Sequence, residues 1–185
     1  MSLFKLSILV CVVSFVGITA KADSISWKEA LDQSKYNVLF LRHALAPGYG
    51  DPPDFNIDNC KTQRNLNLEG EDQATSIGID LKSIGISFDK IYSSEWCRCT
   101  ETASFLNIGE VTTFSGLNSF FQNHYNREET LGKLMNKLES LDKTGRVLMV
   151  THQVVISAIT GINVASGEAV AYNPSDGSAL KLSMR

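Results

Sequence analysis

Basic residues are in the minority in this sequence, and proline and histidine are scarce. Lysine and arginine number 17 against 20 acidic residues, leaving a formal charge of −3. A chain of that sign lacks the electropositive footprint that a nucleic-acid partner requires. Attraction to any small anion must then come from a local cluster of cations, not from the overall field. The 185 residues contain four prolines and no low-complexity tract, internal repeat or long Pro/Gly-rich linker, although a loop rich in Gly, Pro and Asp runs from Ala46 to about Arg64. With no place to divide it, the mature chain reads as one domain, long enough to bury a core without metal or disulfide support. Of the three histidines, no two stand at the short helical spacing of a zinc motif. No metal and no cofactor is expected.

One long apolar run does occur, at the N-terminus. Lys5 precedes an almost uninterrupted apolar stretch from Leu6 to Ile18, and Ala20-Lys21-Ala22 places small residues where a signal peptidase reads them. The run falls short of the roughly 20 residues needed to span a bilayer. Residues 1–22 are therefore expected to be a cleaved signal peptide and residues 23–185 the mature domain. That domain is periplasmic or secreted, with no integral membrane anchor. Cleavage removes Lys5 and Lys21 and no acid, taking the formal charge from −3 to −5. The mature chain keeps Cys60, Cys97 and Cys99. An oxidising compartment makes a bridge from Cys60 to either Cys97 or Cys99 plausible, since these two point to different sides of a helix. The alternative is three buried free thiols.

The coarse pattern alternates strands with helices. Asn37–Leu41, Phe88–Tyr92 and Val147–Val150 are short apolar runs that read as buried strands, with Glu110–Phe114 as an edge strand. Helices are expected over Ser26–Asp32, Leu68 to about Ile84 (capped by Asn67), Glu95–Leu106, Arg127–Leu141 and Val154–Ile159. In the second of these, Ala74, Ile77, Ile79 and Leu81 are the apolar positions. Leu131, Leu134, Leu138 and Leu141 form a packing stripe. Val170–Tyr172 and Ala179–Leu182 read as a closing hairpin. The result is an α/β fold with helices on both faces of a sheet. Two strands run directly into histidines, Arg42-His43 and Thr151-His152. In open α/β sheets ligands bind beyond the carboxyl ends of the strands. If these strands are parallel neighbours, both imidazoles share one rim, and Arg98, on the first turn of a helix after another strand, projects toward it.

These residues resemble the histidine phosphatase superfamily. Leu41-Arg42-His43-Ala44 is similar to its strand-terminal Arg-His-Gly motif, with Ala in place of Gly. Leu66-Asn67-Leu68-Glu69-Gly70-Glu71-Asp72-Gln73-Ala74 resembles the helix entry Leu-Thr-x-x-Gly-x-x-Gln-Ala. Ser94 to Ala103 looks like Ser-x-x-x-Arg-x-x-x-Thr-Ala, and Val150-Thr151-His152 like the late His motif. Order and approximate spacing agree over nearly the whole mature chain. The resemblance implies a three-layer sandwich, phosphoglycerate-mutase-like, with a mainly parallel central sheet flanked by helices. It also implies a phosphatase mechanism in which His43 is the nucleophile and Arg42, Arg98 and His152 hold the phosphoryl group. A neutral imidazole is a competent nucleophile near neutral pH, and guanidinium forks suit the equatorial oxygens of the transition state.

Arg64 and Asn118 are expected to bind substrate, Thr102 to pack or brace one turn beyond Arg98, and His124 to be an exposed loop residue. Asp51-Pro52-Pro53-Asp54 reads as a turn near the pocket mouth. Arg98→Ala is expected to impair turnover while leaving the fold intact. One family feature is missing, because the stretch Ser115–Phe120 carries no acid where many members have a Glu as proton donor; Asn118 or Ser119 stands in that place, and Asp51, Asp54, Glu128 and Glu129 are the candidate substitute acids. The expected partner is a phosphorylated small molecule or an envelope-linked phosphate. The rival reading is a non-catalytic module that binds a phosphorylated ligand.

Overall fold

The computed structural model describes residues 25–32 and 35–183, and the expected signal peptide at 1–22 lies outside the described residues. Its elements run β1 (Ile25–Ser26), α1 (Trp27–Asp32), β2 (Val38–Arg42), α2 (Leu68–Ser83), β3 (Lys90–Ser93), α3 (Cys97–Leu106), β4 (Val111–Thr113), α4 (Arg127–Glu139), β5 (Val147–Thr151), α5 (Gln153–Thr160), β6 (Ala169–Tyr172) and β7 (Ala179–Ser183). They form one seven-stranded sheet in the order β1-β7-β6-β2-β5-β3-β4. Strands β2, β5, β3 and β4 are parallel, whereas β6 is antiparallel to both β2 and β7. The closing hairpin is present, with Tyr172 opposite Ala179.

The central strands are apolar throughout because both of their faces are covered. Leu39, Leu41, Leu148 and Val150 point to a layer built by Trp27 and Leu31 of α1, Ile77 and Leu81 of α2, and Ala103 and Leu106 of α3. Their neighbours Val38, Phe40, Val147 and Met149 point the other way, to Leu134 and Leu138 of α4 and Val155 and Ile156 of α5. This period-two split of one strand between two cores defines three layers. Each such side chain, fully removed from water, contributes about 1.5–3 kcal/mol. Among the described residues no helix is long and apolar enough to cross a membrane.

α2 starts where its sequence dictates, with the Asn67 side chain accepting from the Gly70 N–H at 2.9 Å. It also packs unusually close to its surroundings. A Cβ on Gly70 would lie 2.0 Å from the Leu45 carbonyl oxygen, and one on Gly78 2.0 Å from that of Leu106. Glycine at 70 thus lets the helix lie against the backbone that follows His43. The apolar reading of α2 fails at one position, because Ile79 is 60% exposed. It sits two residues from both Ile77 and Leu81, which puts it on the opposite side of the helix.

Candidate active site

The rim of the sheet is assembled by register. β2 and β5 pair in parallel with Arg42 opposite Thr151, so the next residues, His43 and His152, leave adjacent strands at the same level. The His43 N–H donates to the Thr151 carbonyl at 2.9 Å, and the two rings lie 5.5 Å apart, edge on. On the other side of β5, Ser93 of β3 pairs with Val150, and the turn that follows delivers α3 with Arg98 in its first turn.

His43 is held from three directions. Its Nδ1–H donates to the Ala44 carbonyl at 2.8 Å, which fixes the tautomer and leaves the lone pair on Nε2. The Ala44 N–H donates to Thr102 Oγ1 at 2.9 Å, and that hydroxyl donates to the Arg98 carbonyl, so Thr102 braces the site. The Leu45 N–H donates to Gln73 Oε1 at 2.9 Å. Burial first, and then the charges of Arg98, Arg42 and Arg64, hold the His43 pKa well below the ordinary 6.5. Burial, Arg98 and His43 do the same to His152. Both rings are neutral at neutral pH, as a nitrogen nucleophile requires.

Arg98 is 3% exposed and tied to Asp51, which the sequence offered as a substitute acid and not as a partner of Arg98. Its two Nη groups donate to the two oxygens of Asp51, at 2.8 and 3.2 Å. Asp51 also accepts from Trp96 Nε1 at 3.1 Å and from the Arg64 N–H at 3.0 Å. Burial opposes ionisation of Asp51, but these donors and the Arg98 charge outweigh it and keep its carboxyl below the usual range. Asp51 is therefore a fixed anion that orients Arg98. The Asp51-Pro52-Pro53-Asp54 stretch is more than a turn, and removing Arg98 would strand a buried carboxylate. The expectation that Arg98→Ala leaves the fold intact is corrected on that ground. Arg64, from the same loop, donates to the carbonyls of Gly50 and Ala46, and burial lowers its pKa to about 10, still cationic at neutral pH. A Cys60–Cys97 disulfide staples this loop to α3 next to Arg98.

Behind His152 runs a chain of hydrogen bonds. Arg98 Nη2 donates to His152 Nδ1 at 3.4 Å, so the ring proton sits on Nε2, which donates to Ser94 Oγ at 2.9 Å. The Ser94 hydroxyl donates to Asn118 Oδ1, and Asn118 Nδ2 donates to the Glu95 carboxylate. Cys99, 3.5 Å from the same imidazole, is a fully buried thiol whose pKa burial raises to about 12, so it is no nucleophile.

A cavity of about 170 Å3 opens at this point, lined by His43, Arg64, Arg98 and His152 together with Tyr49, Ser119 and Phe121 among others. Four of the six expected site residues thus meet in it. The other two stand outside. The Arg42 guanidinium donates to Gln153 Oε1, itself a lining residue, and to the Val164 carbonyl. Asn118 is fully buried behind His152, its amide engaged by Ser94 and Glu95, so it positions the ring and does not reach substrate. His124 is not an exposed loop residue either, since its ring packs 4.2 Å from that of Phe55. The Nε atoms of Arg42 and Arg98 are buried without a hydrogen-bond partner. Among the described residues no Asp or Glu lines the cavity. Among the described residues no cluster of His, Cys, Asp and Glu is arranged to hold a metal ion.

The three-layer fold is the one seen in solved histidine phosphatases. Among solved structures, the protein histidine phosphatase SixA, complexed with tungstate, superposes with a TM-score of 0.53 at 14% identity, covering 78% of this chain and 92% of that one. The alpha-ribazole phosphatase from Shigella flexneri gives 0.54 at 17% identity, over 78% and 93% of the two chains. A broad-specificity phosphatase of Saccharomyces cerevisiae is 45% identical over 42 residues, 23% of this chain. That match spans 18% of the yeast protein's length. No protein-family model matches the sequence.

Proposed function

We propose that this chain is an exported phosphatase of the histidine phosphatase type, hydrolysing a phosphoester or phosphoanhydride through a phosphohistidine at residue 43. The observation that carries this reading is a neutral imidazole, its Nδ1–H fixed on the Ala44 carbonyl, lining one cavity with Arg64, Arg98 and His152. His43 Nε2 attacks phosphorus in line, and the phosphorus–nitrogen bond forms as the bond to the leaving oxygen breaks. Water then displaces the imidazole and inorganic phosphate departs.

Negative charge on the transferring group meets fixed donors. The unpaired Arg98 Nε–H, the Arg64 guanidinium and the Arg98 edge now resting 3.4 Å from His152 are available to phosphoryl oxygens. Asp51 keeps that guanidinium in place before substrate arrives, so no reorganisation is required at the moment of reaction. Arg42, with no acid bonded to its guanidinium, adds a positive field from the Gln153 side.

Because no carboxyl group among the described residues lines the cavity, the leaving group departs without a proton from an acidic side chain. This favours weakly basic leaving groups. Export rests on the Lys5 and Leu6–Ile18 pattern with Ala20 and Ala22, and on the Cys60–Cys97 bridge, which suits an oxidising compartment. The substrate is then a phosphorylated small molecule or a phosphate on the cell envelope.

The missing acid also favours a second reading, a module that binds phosphorylated ligands without turning them over. Incubating the chain that starts at Asp23 with p-nitrophenyl phosphate, beside its His43→Ala variant, separates the two. Release by the parent alone supports the phosphatase. Equal release from both proteins defeats it, and so does binding of phosphate without turnover of any phosphorylated compound.

A further inference from the structure

Above His43 the cavity changes character, from guanidinium and imidazole to aromatic rings. Tyr49 and Phe121 both line it, and their rings meet edge to face with centroids 5.2 Å apart. Tyr49 is 88% exposed. A single exposed aromatic calls for no explanation by itself, but this one is mounted with care. Gly48 and Gly50 flank it at φ +96° and +70°, a backbone course that turns residue 49 outward.

The next residue on each side of the rim is tied to the other. Gln122 follows Phe121 and accepts the Asp51 N–H on its Oε1 at 2.7 Å, one residue beyond Gly50. Its carboxamide crowds Gly50 so closely that a Cβ there would lie 2.7 Å away. To make this strap, Gln122 and Asn123 both adopt left-handed backbone angles, φ 61° and 60°. Such conformations cost non-glycine residues free energy and persist where the surrounding structure over-determines them, commonly at ligand clamps. The same strap holds Asp51, and hence Arg98. The backbone segments that carry the two rings are therefore tied to each other beside the phosphoryl pocket.

We infer that Tyr49 and Phe121 form a subsite for an aromatic leaving group, which makes aryl phosphate esters the preferred substrate class. This rests on the phosphatase reading above and deepens it. Size agrees. The cavity is small, about 170 Å3 against the roughly 150 Å3 of one that takes up a benzene ring, and it opens to solvent beside the exposed Tyr49. A ring carried by a phosphoryl group at Arg98 would stand at that opening, next to the two aromatics. Chemistry agrees as well. A phenol ionises near 10, whereas water, the model for an alkyl alcohol, does so at about 15.7. A phenolate can leave a cavity that supplies no carboxylic acid, and an alkoxide cannot. In the step itself the aryl oxygen–phosphorus bond breaks as the bond to His43 Nε2 forms, and phenolate takes its proton from solvent.

Binding and turnover test this separately. Calorimetry with phenylphosphonate and methylphosphonate, neither of which is hydrolysed, reads the subsite without catalysis. The mature protein is expected to bind phenylphosphonate about tenfold tighter than methylphosphonate. Tyr49→Ala and Phe121→Ala should bring the two affinities within about twofold of each other. Tyr49→Phe should keep the preference. No preference in the parent protein, or a preference untouched in both alanine variants, overturns the subsite. Turnover of acetyl phosphate, a small substrate with a good leaving group, reads the phosphatase alone. If acetyl phosphate is hydrolysed in a His43-dependent way and the ring preference is missing, only the subsite falls. If the ring preference is present and nothing is hydrolysed, the subsite stands and the phosphatase reading falls.

Discussion

Arg98 carries its charge where only 4% of its own side chain and 4% of that of Asp51 meet solvent. Breaking such a pair by removing one partner costs about 3–5 kcal/mol, because the other charge is left buried and alone. Arg98→Ala and Asp51→Ala are each expected to lose stability of that order in urea denaturation. The double variant should be more stable than either single one, since no charge remains to strand. Its turnover should stay with that of Arg98→Ala, about 100- to 1000-fold below the parent. Stability losses that simply add would show that the two residues act independently. At this scale the histidines were legible, because each ends an apolar run that can only be a strand. Asp51 was not. Its partner lies 47 residues away in the sequence, and a Pro- and Gly-rich loop reads locally as a turn. Of the two residues offered for the place of the missing acid, Asn118 turns its amide inward to the Ser94 hydroxyl and the Glu95 carboxylate, whereas Ser119 lines the cavity.

The loop between β2 and α2 is the least regular element and carries Tyr49, Asp51 and Arg64. Its shape is imposed from outside, by Gln122, by Arg98 and by the Cys60–Cys97 bridge. The bridge joins positions 37 residues apart, so its removal should cost about 2–4 kcal/mol through the freedom returned to the unfolded chain. Cys60→Ser with Cys97→Ser is expected to lower the denaturation midpoint accordingly. It should also slow turnover, because the loop then holds Asp51 less firmly. Reductant should produce the same shift in the parent and none in the variant. An unchanged midpoint would mean that the other contacts hold the loop unaided. The sequence made a Cys60 bridge plausible without naming the partner. Cys97 and Cys99 differ by about half a helical turn, and only the position of the loop decides which faces it. The cap of α2 was legible, since Asn67 declares it in its own chemistry, whereas the close approach at Gly70 depends on where the Leu45 backbone runs.

The molecule as a whole is a sheet covered on both faces, with its chemistry at one rim. That much followed from strands whose residues are apolar at every position, and from helices between them. Strand order did not follow, because the pairing of β2 with β5, over 100 residues apart, is set by crossover packing and has no local signature. Burying two neutral imidazoles has a consequence for the entire fold. The folded-state pKa of His43 and of His152 lies well below 6.5, so between those values the unfolded chain binds protons that the native state refuses. The contribution is complete above about 6.5 and declines as pH falls from there, by up to about 1.4 kcal/mol per pH unit for each ring. Urea denaturation at pH 7.5 and 5.5 should show lower stability at the acid value, and the double replacement of both histidines by glutamine should flatten the difference. Catalysis, by contrast, should persist below pH 6.5, because the nucleophile stays unprotonated there.

Cys99 is fully buried between α3 and the His152 ring, with its proton held to about pH 12. From residue 23 onward it is the chain's single sulfhydryl outside the bridge. An alkylating reagent therefore meets no reactive sulfur on the native surface. Every adduct that forms records one escape of this helix from the sheet, which turns a residue without a part in the chemistry into a clock for breathing of the active-site wall.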